Sequence, residues 1–147
     1  MKAGVLGFFL FTLIFTFLSC TSYRIPENVR YDFTSRGPIT DDVFQVIITA
    51  KPGANSLTQH EQRESAFISA KWSVTDECIS QMLRYYLSEK KIDETLIPAE
   101  KMVFLKKRFQ ALSTQAIIEQ EYYMPDNSIV FIVRIYSTGI KDKILNY

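Results

Sequence analysis

The chain has 147 residues, with 17 lysines and arginines against 16 aspartates and glutamates, a formal net charge of +1, and 47% hydrophobic residues. That balance leaves no electrostatic footprint for nucleic acid. With two cysteines and one histidine in the whole chain, neither a disulfide framework nor a zinc-ligand set of Cys and His can be assembled.

Chain order begins with an export signal. Lys2 is the only charge before Arg24, and Val5, Leu6, Phe8 to Phe11, Leu13 to Phe15, Phe17 and Leu18 lie between them, a short basic region followed by an apolar one. The run stops at Phe17-Leu18-Ser19-Cys20, which resembles a lipobox, the site where bacterial lipoprotein signal peptidase cuts and the next cysteine receives lipid. Ser19 and Cys20 match that motif. Phe17 and Leu18 stand where leucine and a small residue are usual, a loosened pattern similar to that of spirochaete lipoproteins. The expectation is a signal peptide over 1–19 and lipidation at Cys20. The alternative is an uncleaved anchor: Ala3 to Tyr23 is 21 uncharged residues, as a helix ~31 Å, enough for a hydrocarbon core of ~30 Å. Both readings keep Lys2 inside and export the body. Cutting before Cys20 removes Lys2 alone among charged residues, leaving basic and acidic residues equal at 16 each.

Residues 20–42 read as the lipidated N-terminus and a flexible tether, since Pro26, Asn28, Gly37, Pro38 and Asp41-Asp42 interrupt any period; about twenty such residues reach roughly 25 Å. A short strand around Val29 to Phe33 is an alternative within it. The folded domain is expected over 43–147. Val43 to Ala50 is a β-branched run with Phe44, Val46, Ile48 and Ala50 on one face, hence a strand. Lys51-Pro52-Gly53-Ala54-Asn55-Ser56 is a turn cluster, and a long helix follows from about Leu57 to Leu87. Its apolar stripe is Phe67, Ala70, Val74, Cys78, Met82 and Tyr86, widened by Ile79 and Leu83. Ala66, Ser69, Ala70 and Ser73 are small and allow close approach to a sheet.

After the polar stretch Ser88 to Glu94, Pro98 suits a helix's first turn. Met102, Leu105, Phe109 and Leu112 then recur at helical spacing over Ala99 to Leu112. Lys101, Lys106, Lys107 and Arg108 surround that stripe, either as a solvated face or as one that meets an anionic surface or acidic partner. Ala116 to Met124 and Ile129 to Tyr136 flank Pro125-Asp126-Asn127-Ser128, a hairpin turn. Ile129 to Tyr136 is apolar on both faces apart from Arg134, the mark of a central strand that is covered on both sides or paired across an interface. Ser137 or Thr138 is expected to cap a short last helix through Leu145. The order β-α-α-β-β-α predicts an α+β fold, a small antiparallel or mixed sheet of about three strands packed on the long helix.

This layout resembles the family of conserved twenty-kilodalton bacterial lipoproteins that includes a flagellar outer-membrane lipoprotein. The matching residues are Lys51-Pro52-Gly53-Ala54, Ala66 with Ala70, and Val130-Phe131-Ile132-Val133-Arg134-Ile135, within Val43 to Ile144. The second glycine common in that turn is absent here, and Phe131 stands where tyrosine is common. The resemblance implies an envelope lipoprotein working through assembly or surface contact, and it carries over no catalytic residues.

The residues themselves point away from catalysis. His60-Glu61-Gln62-Arg63-Glu64 lacks the second histidine of a zinc-protease helix, and the Gly53 turn has no Gly-Lys-Ser/Thr ending to cradle phosphate. Cys78 and His60 are 18 residues apart, ~27 Å along one helix, too far for a thiolate-imidazole pair. Glu119 and Glu121 alternate onto one strand face, as an acid-base pair would and as solvent-facing residues do. The sequence therefore predicts no catalytic, cofactor-binding or metal-ligating residue, and Cys20 is its one site residue. The expected function is a non-enzymatic binding or assembly module on the envelope, at the outer rather than the inner membrane. Its partners would be the membrane, through lipid, and a protein or a second copy of itself through Ile129 to Tyr136; nucleic acid is excluded. The alternative is recognition of a small ligand or cell-wall polymer by Trp72, Tyr85, Tyr86, Tyr122, Tyr123 and Tyr136. Mass spectrometry of the membrane-extracted N-terminal peptide is expected to show diacylated Cys20. Finding Met1, or an unmodified Cys20, contradicts the lipoprotein reading.

Overall fold

The computed structural model describes residues 32–56 and 58–146. The export segment 1–19, Cys20, and the tether up to residue 31 lie outside the described residues, as does most of the strand considered at Val29 to Phe33. Among the described residues, no helix is long and apolar enough to cross a membrane.

The fold is α+β. Strands β1 (Gly37–Pro38), β2 (Val43–Ala50), β3 (Ala116–Tyr123) and β4 (Ile129–Tyr136) form one antiparallel sheet in the order β1-β2-β4-β3. Helices α1 (Gln59–Lys90), α2 (Ala99–Ser113) and α3 (Ile140–Leu145) complete it, with a 3-10 turn at Glu94–Leu96. The expected strand β4 is central: it pairs with β2 from Val43↔Tyr136 to Ala50↔Ile129 and with β3 on its other edge. Residues Ile129 to Ile135 are all buried, as a strand covered on both faces requires. The sheet has a fourth strand, one more than expected. Gly37 and Pro38 pair with Gln45 and Phe44, too short a segment to leave a period in the sequence.

One face of the sheet carries Phe44, Val46, Ile48 and Ala50 from β2 and Ile129, Phe131, Val133 and Ile135 from β4. Against it pack Ala66, Ala70, Cys78, Met82 and Tyr86 of α1 and Leu105 and Phe109 of α2. The alanines have no side chain beyond Cβ, so the backbone of α1 comes close to the strands, and Phe67 meets Phe131 edge-on at 5.5 Å. Thr58 opens α1 with a capping box. Its hydroxyl accepts from the Glu61 N–H at 3.2 Å, while the Glu61 carboxylate accepts from the Thr58 N–H at 2.9 Å. Lys91, at φ +52°, closes the helix in the left-handed region.

The other face of the sheet centres on Arg134, only 2% exposed, and Gln45, fully buried. The Arg134 Nε–H donates to Gln45 Oε1 at 2.8 Å, and Gln45 Nε2 donates to the carbonyls of Asp32 (2.9 Å) and Ser35 (2.8 Å). Phe33 lies over the guanidinium at 5.6 Å. These contacts correct the expected boundary at 42: from Asp32 onward the segment read as tether belongs to the domain. It does so because a buried carboxamide and guanidinium need hydrogen-bond partners, and the carbonyls of Asp32 and Ser35 are among those that supply them.

Two further expectations are corrected. The last helix is capped by Gly139 at φ +62°, not by Ser137 or Thr138, and its N–H donates to Asp42 Oδ1 at 2.6 Å, so a carboxylate from before β2 does the capping. Pro98 is the N-cap of α2, one place ahead of its first turn.

Replacing Gln45 by Leu is expected to cost about 3 kcal/mol in urea unfolding, since it removes a buried hydrogen-bond partner of the guanidinium and both carboxamide bonds to the carbonyls of Asp32 and Ser35. Adding Arg134→Met should restore part of that loss. An unchanged midpoint for Gln45→Leu contradicts this role for the pair.

Candidate functional site

The outer surface of α1 is apolar where solvent would be expected. Six residues beyond buried Ala66, and two beyond buried Ala70, the side chain at Trp72 points away from the sheet. Trp72 is 82% exposed and Ile68, one turn before it, 46% exposed. With Phe67 and Lys71 they line a shallow cleft of about 470 Å³, and the Lys71 ammonium lies 6.0 Å from the Phe67 ring. One turn on, a second cleft of about 640 Å³ runs between the helices, with Asp76 and Ile79 from α1 and Val103, Lys106 and Lys107 from α2. Val103 and Phe104 are also exposed. The result is one stripe of large apolar side chains edged by Lys71, Lys106 and Lys107. Arg108 is drawn away from this basic rim: its guanidinium donates to the carbonyls of Lys143 and Asn146 (2.9 Å to the latter) and so ties α2 to the end of the chain.

The expected aromatic set does not converge. Tyr86 is in the core and tilts against Phe109 at 6.4 Å. Tyr85 packs edge-on to Phe44 at 5.8 Å. Tyr122 and Tyr123 are exposed on β3, where pairing with Val130 and Ile129 puts them on opposite faces. The Tyr123 ring takes the Arg63 guanidinium at 5.1 Å. The hydroxyl of Tyr136 donates to Glu119 at 2.6 Å; burial, with that bond, pushes it above the ordinary tyrosine range. Trp72 alone of the six belongs to the helical stripe.

Glu119 and Glu121 are not paired on one face. The register slips between Ile118 and Gln120, a β-bulge at Glu119. Glu119 therefore reaches Tyr136 on the Arg134 side, while Glu121 stands opposite Phe131 on the helix side. The bulge adds one residue, and alternation counted along the sequence misses it. His60 and Cys78 lie on the single helix α1, at its first turn and its middle. Cys78 is fully buried, and desolvation, with the Glu77 carboxylate beside it, pushes its thiol up to about 12. Burial and the raised pKa both disfavour the thiolate, the form that acts as nucleophile.

The turn after β3 is held by a contact that the sequence does not disclose. Asn127, at φ +60°, accepts at Oδ1 from Gln59 (3.3 Å) and from Arg63 Nε (3.1 Å), and donates to Gln62 Oε1 at 2.8 Å. It clasps the hairpin to the first turns of α1, 65 residues away in the chain.

Strand β4 offers no edge to a second copy, since β2 and β3 occupy both. The free edge of the sheet next to it is β3, exposed along almost its whole length. Comparisons with protein-family models, with curated proteins and with solved structures gave no match.

Cys78 is expected to resist thiol reagents at pH 8 in the folded chain and to react at an ordinary rate in urea. Its folded pKa lies above the ordinary value of 9.0. It therefore adds stability in full below pH 9, which is lost as pH rises toward 12. Cys78→Ala should flatten that alkaline limb in a pH series of unfolding midpoints, and rapid labelling of the native chain contradicts this placement.

Proposed function

We propose that the chain is a membrane-anchored envelope lipoprotein, held by lipid on Cys20, whose folded domain is a non-enzymatic binding module that engages a protein partner through the Trp72 stripe. The observation that carries this reading is the 82% exposure of Trp72. An indole left in water on a rigid helix, next to Ile68 and above Phe67, is the kind of residue that anchors protein interfaces.

The lysines choose the partner's chemistry. Lys71, Lys106 and Lys107 border the stripe, and Asp76 is the one acid lining its clefts, so the complementary surface is apolar with an acidic rim. The membrane itself has a weaker claim to this face. The chain enters the domain at Asp32, on the Arg134 side of the sheet, whereas Trp72 is on the far side of the helices that cover the opposite face. Asp32 lies twelve positions after Cys20, at most ~40 Å of extended chain. The back of the sheet is thus turned to the lipid with the least extension, and the helices outward. The lipobox-like Ser19-Cys20 and the likeness to the conserved twenty-kilodalton lipoproteins support the anchor. The buried, protonated thiol of Cys78 and its separation from His60 support a role without catalysis.

A photo-activated cross-linker at Ile68, in cells carrying the full chain, is expected to give one discrete protein adduct. Trp72→Ala should reduce it by roughly ten-fold or more, the loss of a ~2 kcal/mol anchor. Adducts to lipid alone, or an adduct indifferent to Trp72→Ala, contradict the proposal.

A further inference from the structure

A third cleft, of about 280 Å³, opens between the start of β1 and the last third of α1, lined by Arg36, Gly37, Gln81, Arg84, Tyr85 and Ser88. It lies apart from the Trp72 stripe: Gln81 is nine residues, two and a half turns, beyond Trp72, on the opposite side of α1. Its chemistry is independent of how the chain is anchored.

Three features define what the cleft would take. Arg36 and Arg84 both line it, and among the described residues neither guanidinium has an ion pair or hydrogen bond. Two such groups on one small concavity repel each other and favour an anion between them. Gln81 is 9% exposed, and its Nε2 donates to the Ile47 carbonyl at 3.1 Å. That bond fixes the amide so that Oε1 is the free end, and Oε1 is buried with no hydrogen-bond partner. An orphaned buried acceptor calls for a donor. Gly37, at φ +94°, passes the cleft without a side chain, 3.9 Å from the Tyr85 ring at the position a Cβ would occupy, so the wall there is bare backbone.

The ligand must therefore bring a negative group for the arginines and, within a bond or two of it, an N–H or O–H for Gln81. A phosphate dianion offers only acceptors and would oppose Oε1. A carboxylate whose α-carbon bears an N–H answers both demands, and the volume is that of about one residue, below the range of drug-sized pockets. We propose that this cleft binds the C-terminal residue of a peptide, with its carboxylate on Arg36 and Arg84 and its amide N–H donated to Gln81 Oε1.

The test uses the full chain, extracted from membranes into detergent and labelled with nitrogen-15, and follows the Gln81 side-chain amide by NMR. N-acetylalanine, a chain-end mimic, is expected to shift it saturably. Propionate, which lacks the N–H, N-acetylalaninamide, which lacks the carboxylate, and inorganic phosphate should each bind at least about ten-fold more weakly. Arg84→Gln should weaken N-acetylalanine by about ten-fold or more with an unchanged melting temperature. No saturable shift up to about 50 mM, equal binding of phosphate or propionate, or an Arg84→Gln variant that binds normally would overturn the proposal. Tighter binding of free alanine than of N-acetylalanine would overturn the peptide-end assignment.

Discussion

The structure turns on a guanidinium placed where it cannot be hydrated. Arg134 sits in the middle of the central strand, on the face away from the helices, and is 2% exposed. A charge in that position must be met by polar groups. Gln45, its cross-strand neighbour in β2, accepts from it with one end of the carboxamide and with the other donates to the carbonyls of Asp32 and Ser35. The pair therefore fastens the entering chain across the back of the sheet. Once 32–36 is fixed there, β1 follows as its continuation, and the two sides of the domain become different: one receives the chain, the other carries the helices.

The helical side has its own constraint. A helix of 32 residues is ~48 Å long, whereas strands of eight residues span ~27 Å. The sheet covers only part of α1. The rest is shared among α2, packed alongside, the clasp of Asn127 on Gln59, Gln62 and Arg63 at one end, and the cleft beside β1 at the other. Among the described residues nothing is set over the outward side, and there the sequence places Trp72 and Ile68, which are exposed, rather than charged residues. Stability alone would have favoured polar groups at those positions, which is why the stripe is read as a surface for contact.

How far the sequence discloses this depends on the kind of signal. Strands β2 and β4 have the bounds expected of them, because β-branched runs end at Lys51-Pro52-Gly53 and at turn residues around Asn127. The inward face of α1 is legible for the same reason: Ala70, Cys78, Met82 and Tyr86 repeat at helical spacing and are buried. What escapes are features without periodicity. Two residues of β1, a bulge at Glu119, and a cap on α3 made by Asp42 from 97 residues away are tertiary facts. Trp72 could be found by counting from Ala70 around the helix. The cleft of Arg36 and Arg84 could not, since its walls meet only when β1 joins the sheet.

The central claim is that an anchored domain turns the Trp72 stripe outward, and the chain offers a built-in probe, because Trp72 is its one tryptophan. Fluorescence of the full chain in its own membranes, with quenchers delivered either in water or on lipid acyl chains, tests the claim most directly. Solvent-like emission, quenched readily from the aqueous side and not from the lipid, is the expected result. Blue-shifted emission quenched from the acyl chains would place the stripe on the membrane and contradict the claim.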